Sequence, residues 1–442
     1  MDADGNPIGL AQLGGFPNFF AFNQNLRTPY AITASLGVQR ELPGNVIVEI
    51  DYFGRFGRRL VAIGDAAQTL NFQDATSGQF LNTAFGNVQS QMQGGVAPEA
   101  VTAQPFFENQ LTNQLAGFGF TCPAAAPLFG LTANNCTQLA AQLASSFFPV
   151  GDVSSTILTL SQTGVLAPNT GLDAQTGSAG YIGNFSSSNY NGLLLSIRKR
   201  LSASLTADFN YTFAHSIDNV SEINNNFVLF TFSGQGLVCD LSNLRTCRAS
   251  SDFDARHTFN ANYIYTLPIG KGQRFLGGAG SLLNLLVGGW GTSGIISWHS
   301  GYPFSINSNT FPINFTQSAP ATLTGPQSAI KPNIHSENGQ IQFFASQSAA
   351  NGAFSYPFGG ATGTRNAVRG PNFSNVDMGL FKNFVLPWSE HQRLQFRADA
   401  FNVFNNVSFK NPGNSLNAPN FGIITEQEND PRVLQVALRL EF

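Results

Sequence analysis

Charge is scarce in this sequence. Asp, Glu, Lys and Arg supply 11% of its 442 residues, against about 25% in an ordinary soluble domain. Long apolar runs are missing as well. A membrane-spanning helix needs about 20 predominantly apolar residues, and the densest stretch here, Leu282 to Val287, stops at Gly288 and Gly289. That excludes a helical membrane protein. No basic cluster exceeds Arg198-Lys199-Arg200, and the net charge is -3, so a nucleic-acid partner has no electrostatic footprint. The five histidines (His215, His257, His299, His335 and His391) are scattered, without HExxH spacing. No glycine-rich segment has phosphate-cradle spacing, and Gly291-Thr292-Ser293-Gly294 lies within a strand pattern rather than at a strand-to-helix elbow. The expectation is a protein that is not an enzyme and holds neither cofactor nor metal.

What is present is an excess of aromatic residues, 12% with 41 Phe, at a mean hydropathy of -0.03. Few charges, many aromatics and neutral hydropathy fit strands with one greasy and one polar face. The alternation is explicit. Tyr30, Ile32, Ala34, Leu36 and Val38 share one face, and Thr33, Ser35, Gly37 and Gln39 the other. After the turn sequence Leu42-Pro43-Gly44-Asn45, Val46, Val48, Ile50 and Tyr52 oppose Glu49, Asp51 and Arg55. The pattern returns at Leu193–Arg198, Leu205–Phe213, Phe259–Leu267, Trp290–Ser300, Val376–Leu380, Leu394–Ala400 and Leu434–Phe442.

These make about nine strands, most near the 9–11 residues that cross a bilayer at a tilt. Their connections alternate short and long: 43–45, 201–204 and 386–390 are short, 268–289 is intermediate, and 56–189, 216–255, 301–374 and 405–431 are long. Outer-membrane barrels put short turns in the periplasm and long loops outside, whereas a soluble secreted β-protein has no reason to do so. The expected fold is all-β, an antiparallel up-and-down transmembrane β-barrel, partial, with long extracellular loops, in the outer membrane of a Gram-negative bacterium. Residues 1–29 then read as an extracellular loop remnant and 30–442 as the C-terminal part of the barrel, with an insertion at 56–189. An odd strand count, and a start (Met1-Asp2-Ala3-Asp4-Gly5) without the apolar core of an export signal, give the expectation of a fragment of a longer chain. Within the insertion, Leu139, Leu143 and Phe147 recur at helical spacing and predict a short helix.

Cys122 and Cys136, and Cys239 and Cys247, fall as two sequence-local pairs within long loops. An even count in an exported chain points to two disulfides; free thiols and metal ligation are the alternatives, the second lacking CxxC spacing or a nearby His.

Several segments, in order, resemble the barrel domain of TonB-dependent outer-membrane receptors of the Oar-like branch. They are Arg27–Tyr30 with Leu36–Asn45; Tyr190-Asn191-Gly192-Leu193; Tyr211-Thr212-Phe213-Ala214-His215-Ser216; Asp254-Ala255-Arg256-His257; Gly289-Trp290; Ser300-Gly301-Tyr302-Pro303-Phe304; Arg369-Gly370-Pro371; and Arg397–Asn405. The resemblance implies a 22-stranded barrel, filled by an N-terminal plug that couples to TonB. On this reading the chain is expected to lack the plug and to carry fewer than half those strands. The terminal Phe442 resembles the signal read by the barrel assembly machinery. The implied partners are outer-membrane lipid, that machinery, the plug and remaining strands, TonB acting through the plug, and a solute.

Parity places ten charges together: Glu49, Asp51, Arg55, Arg198, Asp208, Asp377, Arg397, Asp399, Arg439 and Glu441. Arg or Lys facing lipid at the midplane costs about 2–4 kcal/mol, so these are expected to face the lumen. There they can form a salt-bridge ladder or touch a plug or solute. The functional expectation is a receptor barrel for uptake of a bulky solute; the alternative is a structural or adhesive surface protein that transports nothing.

Overall fold

A computed structural model describes residues 18–168, 170–171, 178–200, 204–221, 237–314, 318–385 and 393–441. The chain opens with β1 (Asn18–Phe22), β2 (Tyr30–Leu42) and β3 (Val46–Asp65). An insertion follows with α1 (Leu81–Gln93), α2 (Pro105–Ala116), α3 (Cys122–Ala125), α4 (Cys136–Leu143) and α5 (Val153–Gln162). Next come β4 (Ser178–Arg200), β5 (Leu205–Asp218), β6 (Ala249–Ser250), β7 (His257–Thr266), α6 (Ser281–Val287) and β8 (Trp290–His299). A second outer region holds β9 (Pro303–Phe304), β10 (Thr322–Leu323), β11 (Pro332–Glu337), β12 (Gln340–Phe344), α7 (Gln347–Gly352), β13 (Phe354–Ser355) and β14 (Val368–Arg369). The last part is β15 (Phe373–Val385), β16 (Arg393–Phe401), β17 (Ile423–Ile424) and β18 (Val433–Glu441).

Nine long strands lie side by side in the order β2-β3-β4-β5-β7-β8-β15-β16-β18, with β1 and β6 attached at its margin. Each long strand is antiparallel to the one before it. The result is an up-and-down antiparallel sheet, open among the described residues. β2 and β18 are its edges, both exposed along their length. The β2–β3 turn works because Gly44 and Asn45 take the left-handed backbone, φ 87° and 55°, which the tight hairpin connection requires.

Register carries each face across the whole sheet, because side chains alternate along every strand. Leu36 lies opposite Tyr52, Val38 opposite Ile50 and Ile50 opposite Leu195. At the far edge Leu380 meets Ala398, which meets Val436. Leu36, Val38, Leu434, Val436 and Leu438 are 73, 69, 72, 69 and 68% exposed. So broad an apolar face marks a surface made for a non-aqueous neighbour. No described helix is long and apolar enough to cross a membrane.

Several boundaries differ from the sequence reading. β3 continues to Asp65 and β4 begins at Ser178, so the insertion spans 66–177 rather than 56–189. The pairing of β3 with β4 slips between Gly57 and Leu60 and again between Leu60 and Ala62, and each irregularity breaks the period-two signal. Residues 18–22, expected as loop, form β1, parallel to the outer end of β4. The expected short helix is α4; the other helices of the insertion have their own apolar spacing, as in Leu111 and Leu115 of α2. The turn at 386–390 and Phe442 lie outside the described residues.

Met378→Arg, on the apolar face in the middle of β15, is expected to lower stability in vesicles by about 2–4 kcal/mol. Ser293→Arg on the other face of β8 should cost less than about 1 kcal/mol, and equal costs in denaturant titrations would remove the two-faced account.

Candidate functional site in the outer loops

The long connections fold on their own account. In the insertion, Phe85, Phe107, Leu111, Leu139, Phe148 and Ile157 are buried together. The Phe85 and Phe148 rings stack at 4.6 Å. Asn135 and Asp152 cap α4 and α5 by accepting from the Gln138 and Ser155 amides. The disulfide Cys122–Cys136 joins α3 to α4. Asp74, buried ahead of α1, accepts from Ser77 and from Asn109 and Gln110 on α2. Burial pushes its carboxyl up, but the hydrogen bonds from Ser77, Asn109 and Gln110 outweigh this and lower it from 3.8 to about 2.

A second core forms from 301–372 and 402–432, with Phe304, Ile306, Phe343, Phe344, Phe421 and Ile424 buried. The two cores are joined. Thr69 and Ser154 amides donate to Ile313 and Phe311 carbonyls at 2.6 and 3.0 Å. The fully buried Gln89 carboxamide donates to the Pro357 carbonyl at 2.9 Å and accepts from the Gly359 amide at 3.0 Å.

Beneath them, segments that carried the sequence resemblance converge on one carboxylate. Asp254, 2% exposed, accepts from the Ser216 amide at 2.7 Å. It pairs with His215 at 3.1 Å, with Arg256 at 4.0 Å and with Arg369. Burial raises the Asp254 carboxyl, but the Ser216 amide, Arg369 and His215 together hold it below the ordinary value. Arg369 also pairs through its backbone with Pro303, as β14 against β9. The Tyr-Thr-Phe-Ala-His-Ser, Asp-Ala-Arg-His, Ser-Gly-Tyr-Pro-Phe and Arg-Gly-Pro segments are therefore one structural knot, locking loops to strand ends.

Above this knot Arg365 reaches Asp218 at 2.9 Å and Asp252 at 2.8 Å, and Asn366 donates to Asp252 at 2.6 Å. The disulfide Cys239–Cys247 closes the neighbouring loop. Together they frame a cleft of about 560 Å³ lined in nearly equal parts by polar groups, among them Asn219, Thr246, Asn307, Asn411 and Asn414, and by apolar ones, among them Val220, Leu237, Pro303, Phe304 and Pro320. Sequence reasoning missed the cleft. Arg365 lies 147 residues from Asp218 and 113 from Asp252, and no local pattern links them.

Register puts Glu49, Asp51, Arg55, Arg198, Asp208, Asp377, Arg397, Asp399 and Arg439 on the polar face; the side chain of Glu441 lies outside the described residues. Arg198 stands between Glu49 at 3.8 Å and Asp208 at 4.0 Å, bridging three strands. Arg397 pairs with Asp399 at 2.7 Å, and Asp377 accepts from the Asn402 amide at 2.8 Å. Glu49–Arg198–Asp208 and Arg397–Asp399 are thus ion-paired groups on this face.

A family described as "Outer membrane beta barrel domain" matches residues 4–435. The chain belongs to this family. As an outer-membrane barrel domain it resides in the outer membrane, with its apolar face as the membrane-spanning band. Among solved structures, the outer membrane transporter YddB from Escherichia coli is similar over 96% of this chain and 34% of its own, at 10% identity and a TM-score of 0.39. FpvA of P. aeruginosa, solved bound to heterologous pyoverdines, is similar over 94% and 27%, at 10% identity and 0.33. FpvAI, solved in complex with pyocin S2, is similar over 94% and 27%, at 9% identity and 0.35. The chain spans about a third or less of the length of these solved chains. No curated protein matches it.

Two predictions follow for the barrel domain's loops. Arg369→Ala strands the Asp254 carboxylate in the interior and should destabilise the domain by roughly 3 kcal/mol, the low end for a broken buried pair because His215 and Arg256 remain. Asp254→Asn should cost less, since Arg369 is one-third exposed (32%) and can turn to water; chemical denaturation of both variants tests the order. Asp74, whose pKa is lowered on folding, contributes stability above the unfolded value of 3.8 that is lost as pH falls through about 2. Asp74→Asn should therefore lower stability by roughly 2 kcal/mol at pH 6, and the difference from the parent should vanish near pH 2.

Proposed function

We propose that this barrel domain forms part of the wall and outer vestibule of a TonB-dependent receptor that takes up a bulky solute. The observation that carries the reading is the cleft of about 560 Å³ with mixed polar and apolar lining, set in loops held by two cores, two disulfides and the Asp254 knot. Ligand sites of this size are concave, largely pre-formed and mostly apolar with a few placed polar groups; this cleft combines an apolar wall with a larger polar share, which suits a polar, bulky solute. A wall that only crossed the membrane would have no use for so much ordered loop structure.

The open sheet supports the rest. In hydrocarbon the unpaired N–H and C=O groups of a free edge are too costly to persist. Further strands on β2 and β18 complete the wall, and the charged face, including the Glu49–Arg198–Asp208 bridge, then lines a lumen occupied by a plug. Aqueous charge pairs there suit a plug that must shift when TonB pulls.

A structural or adhesive role is the second reading. It is favoured by the exposed Phe118, Phe120, Leu128 and Phe129 around α3, an apolar group that does not line the cleft. Uptake of a panel of labelled glycans, peptides and metal chelates, by cells carrying the chain in its natural gene context, separates the two. The receptor reading expects one panel member to accumulate only while the proton-motive force is intact. Failure of every member, with loss of surface attachment when 66–177 is deleted, would favour adhesion.

A further inference from the structure

The connection from β7 to β8 lies at the end of the sheet opposite the folded loops, where the other turns are short. It carries α6, none of whose residues is buried. Leu282, Leu283, Leu285 and Leu286 are 83, 46, 52 and 71% exposed. At about 100° per residue they occupy one arc of the helix, with Asn284 opposite its centre and Ser281 at its margin. Asn284 faces the protein, its side-chain oxygen accepting from the Lys271 amide at 2.7 Å.

The end of α6 is fixed by two side chains from the apolar face of the sheet. Lys382 donates to the carbonyls of Leu286 and Gly288 at 3.0 and 2.6 Å. Trp290 donates its indole N–H to the Leu286 carbonyl at 2.9 Å. The Lys382 ammonium also lies 4.9 Å from the Trp290 ring and 5.1 Å from the Phe384 ring. Lys382 and Trp290 oppose one another in the register, on the same side as Leu380 and Met378. This accounts for a lysine at an apolar parity position: the last carbonyls of α6 and two aromatic rings surround its charge. It also places α6 on the outside of the wall, with its leucines continuing the membrane-spanning band. Lys271 and Arg274 sit in the same connection.

We infer that α6 is an interfacial anchor, seating its leucines among the acyl chains of the periplasmic-side phospholipid leaflet and setting the depth of the wall. The occupant is phospholipid. The arc of leucines beside a Trp and flanking cations has the make-up of a helix lying in a membrane interface, and the apolar face it extends is already the membrane surface of the domain. This goes beyond the receptor reading and does not depend on it.

The four native cysteines are paired, so a single introduced thiol can be labelled in the full chain. Nitroxides at Leu282→Cys and Leu286→Cys, with the protein in phosphatidylethanolamine–phosphatidylglycerol vesicles, should collide with oxygen several-fold more than with a water-soluble nickel chelate. A nitroxide at Gly278→Cys, an open position, should show the reverse. Leu285→Cys serves if either leucine variant fails to fold, with heat-dependent gel mobility as the folding check. Nickel access at the leucines equal to that at position 278 would put α6 in the periplasm and overturn the inference. Exclusion of both reagents would show protein, such as a second copy, covering the helix, and would overturn it equally.

Discussion

Inside hydrocarbon, every backbone N–H and C=O must find a partner within the protein, and this one requirement organises the chain. Strands meet it only by lying beside other strands, which leaves their side chains to divide between two faces. From that division come the scarcity of charge, the absence of long apolar runs, and the confinement of Glu49, Asp51, Arg198 and Asp208 to one parity. It also accounts for the oddity at Lys382. A cation displaced to the apolar side persists because it lies near the strand end, where the carbonyls of α6 and two aromatic rings surround it.

The same requirement explains where the architecture stops being simple. Beyond the membrane, water can satisfy loose backbone, and the chain becomes free to bulge, turn and form helices. β3 and β4 slip register at Gly57–Ala62 as they leave the band, and the insertion between them builds a helical core. Rigidity there comes from ordinary soluble-protein devices: stacked Phe85 and Phe148, capped helices, two disulfides, and a carboxylate at Asp254 that gathers His215, Arg256 and Arg369 from separate segments.

How much of this could be read from sequence follows the range of the interactions. The long strands were visible because alternation is local: Leu36, Val38, Val48 and Ile50 declare their face within a few residues. The cysteines could be matched because each pair lies within its own loop. The outer half of β3 was hidden by its bulges, and β1 because a short parallel strand against β4 leaves no alternation long enough to see. The helices of the insertion have apolar spacing, as at Leu111 and Leu115, but sit in a stretch otherwise read as connection. The cleft was beyond reach, since Arg365 finds Asp218 and Asp252 only after more than a hundred residues of intervening fold. The resemblance segments marked the place without revealing the reason: His215, Asp254 and Arg369 belong together because they share one buried charge.

Along each membrane-crossing strand, neighbouring residues meet hydrocarbon and water in turn. This alternation is tested most directly by single cysteines along β15, from Asn375 to Leu380, in protein reconstituted into vesicles and exposed to a charged thiol reagent. Positions 375, 377 and 379 should react readily and 376, 378 and 380 slowly, in strict alternation. Uniform reactivity along the strand, or protection that rises and falls over three to four residues, would contradict it.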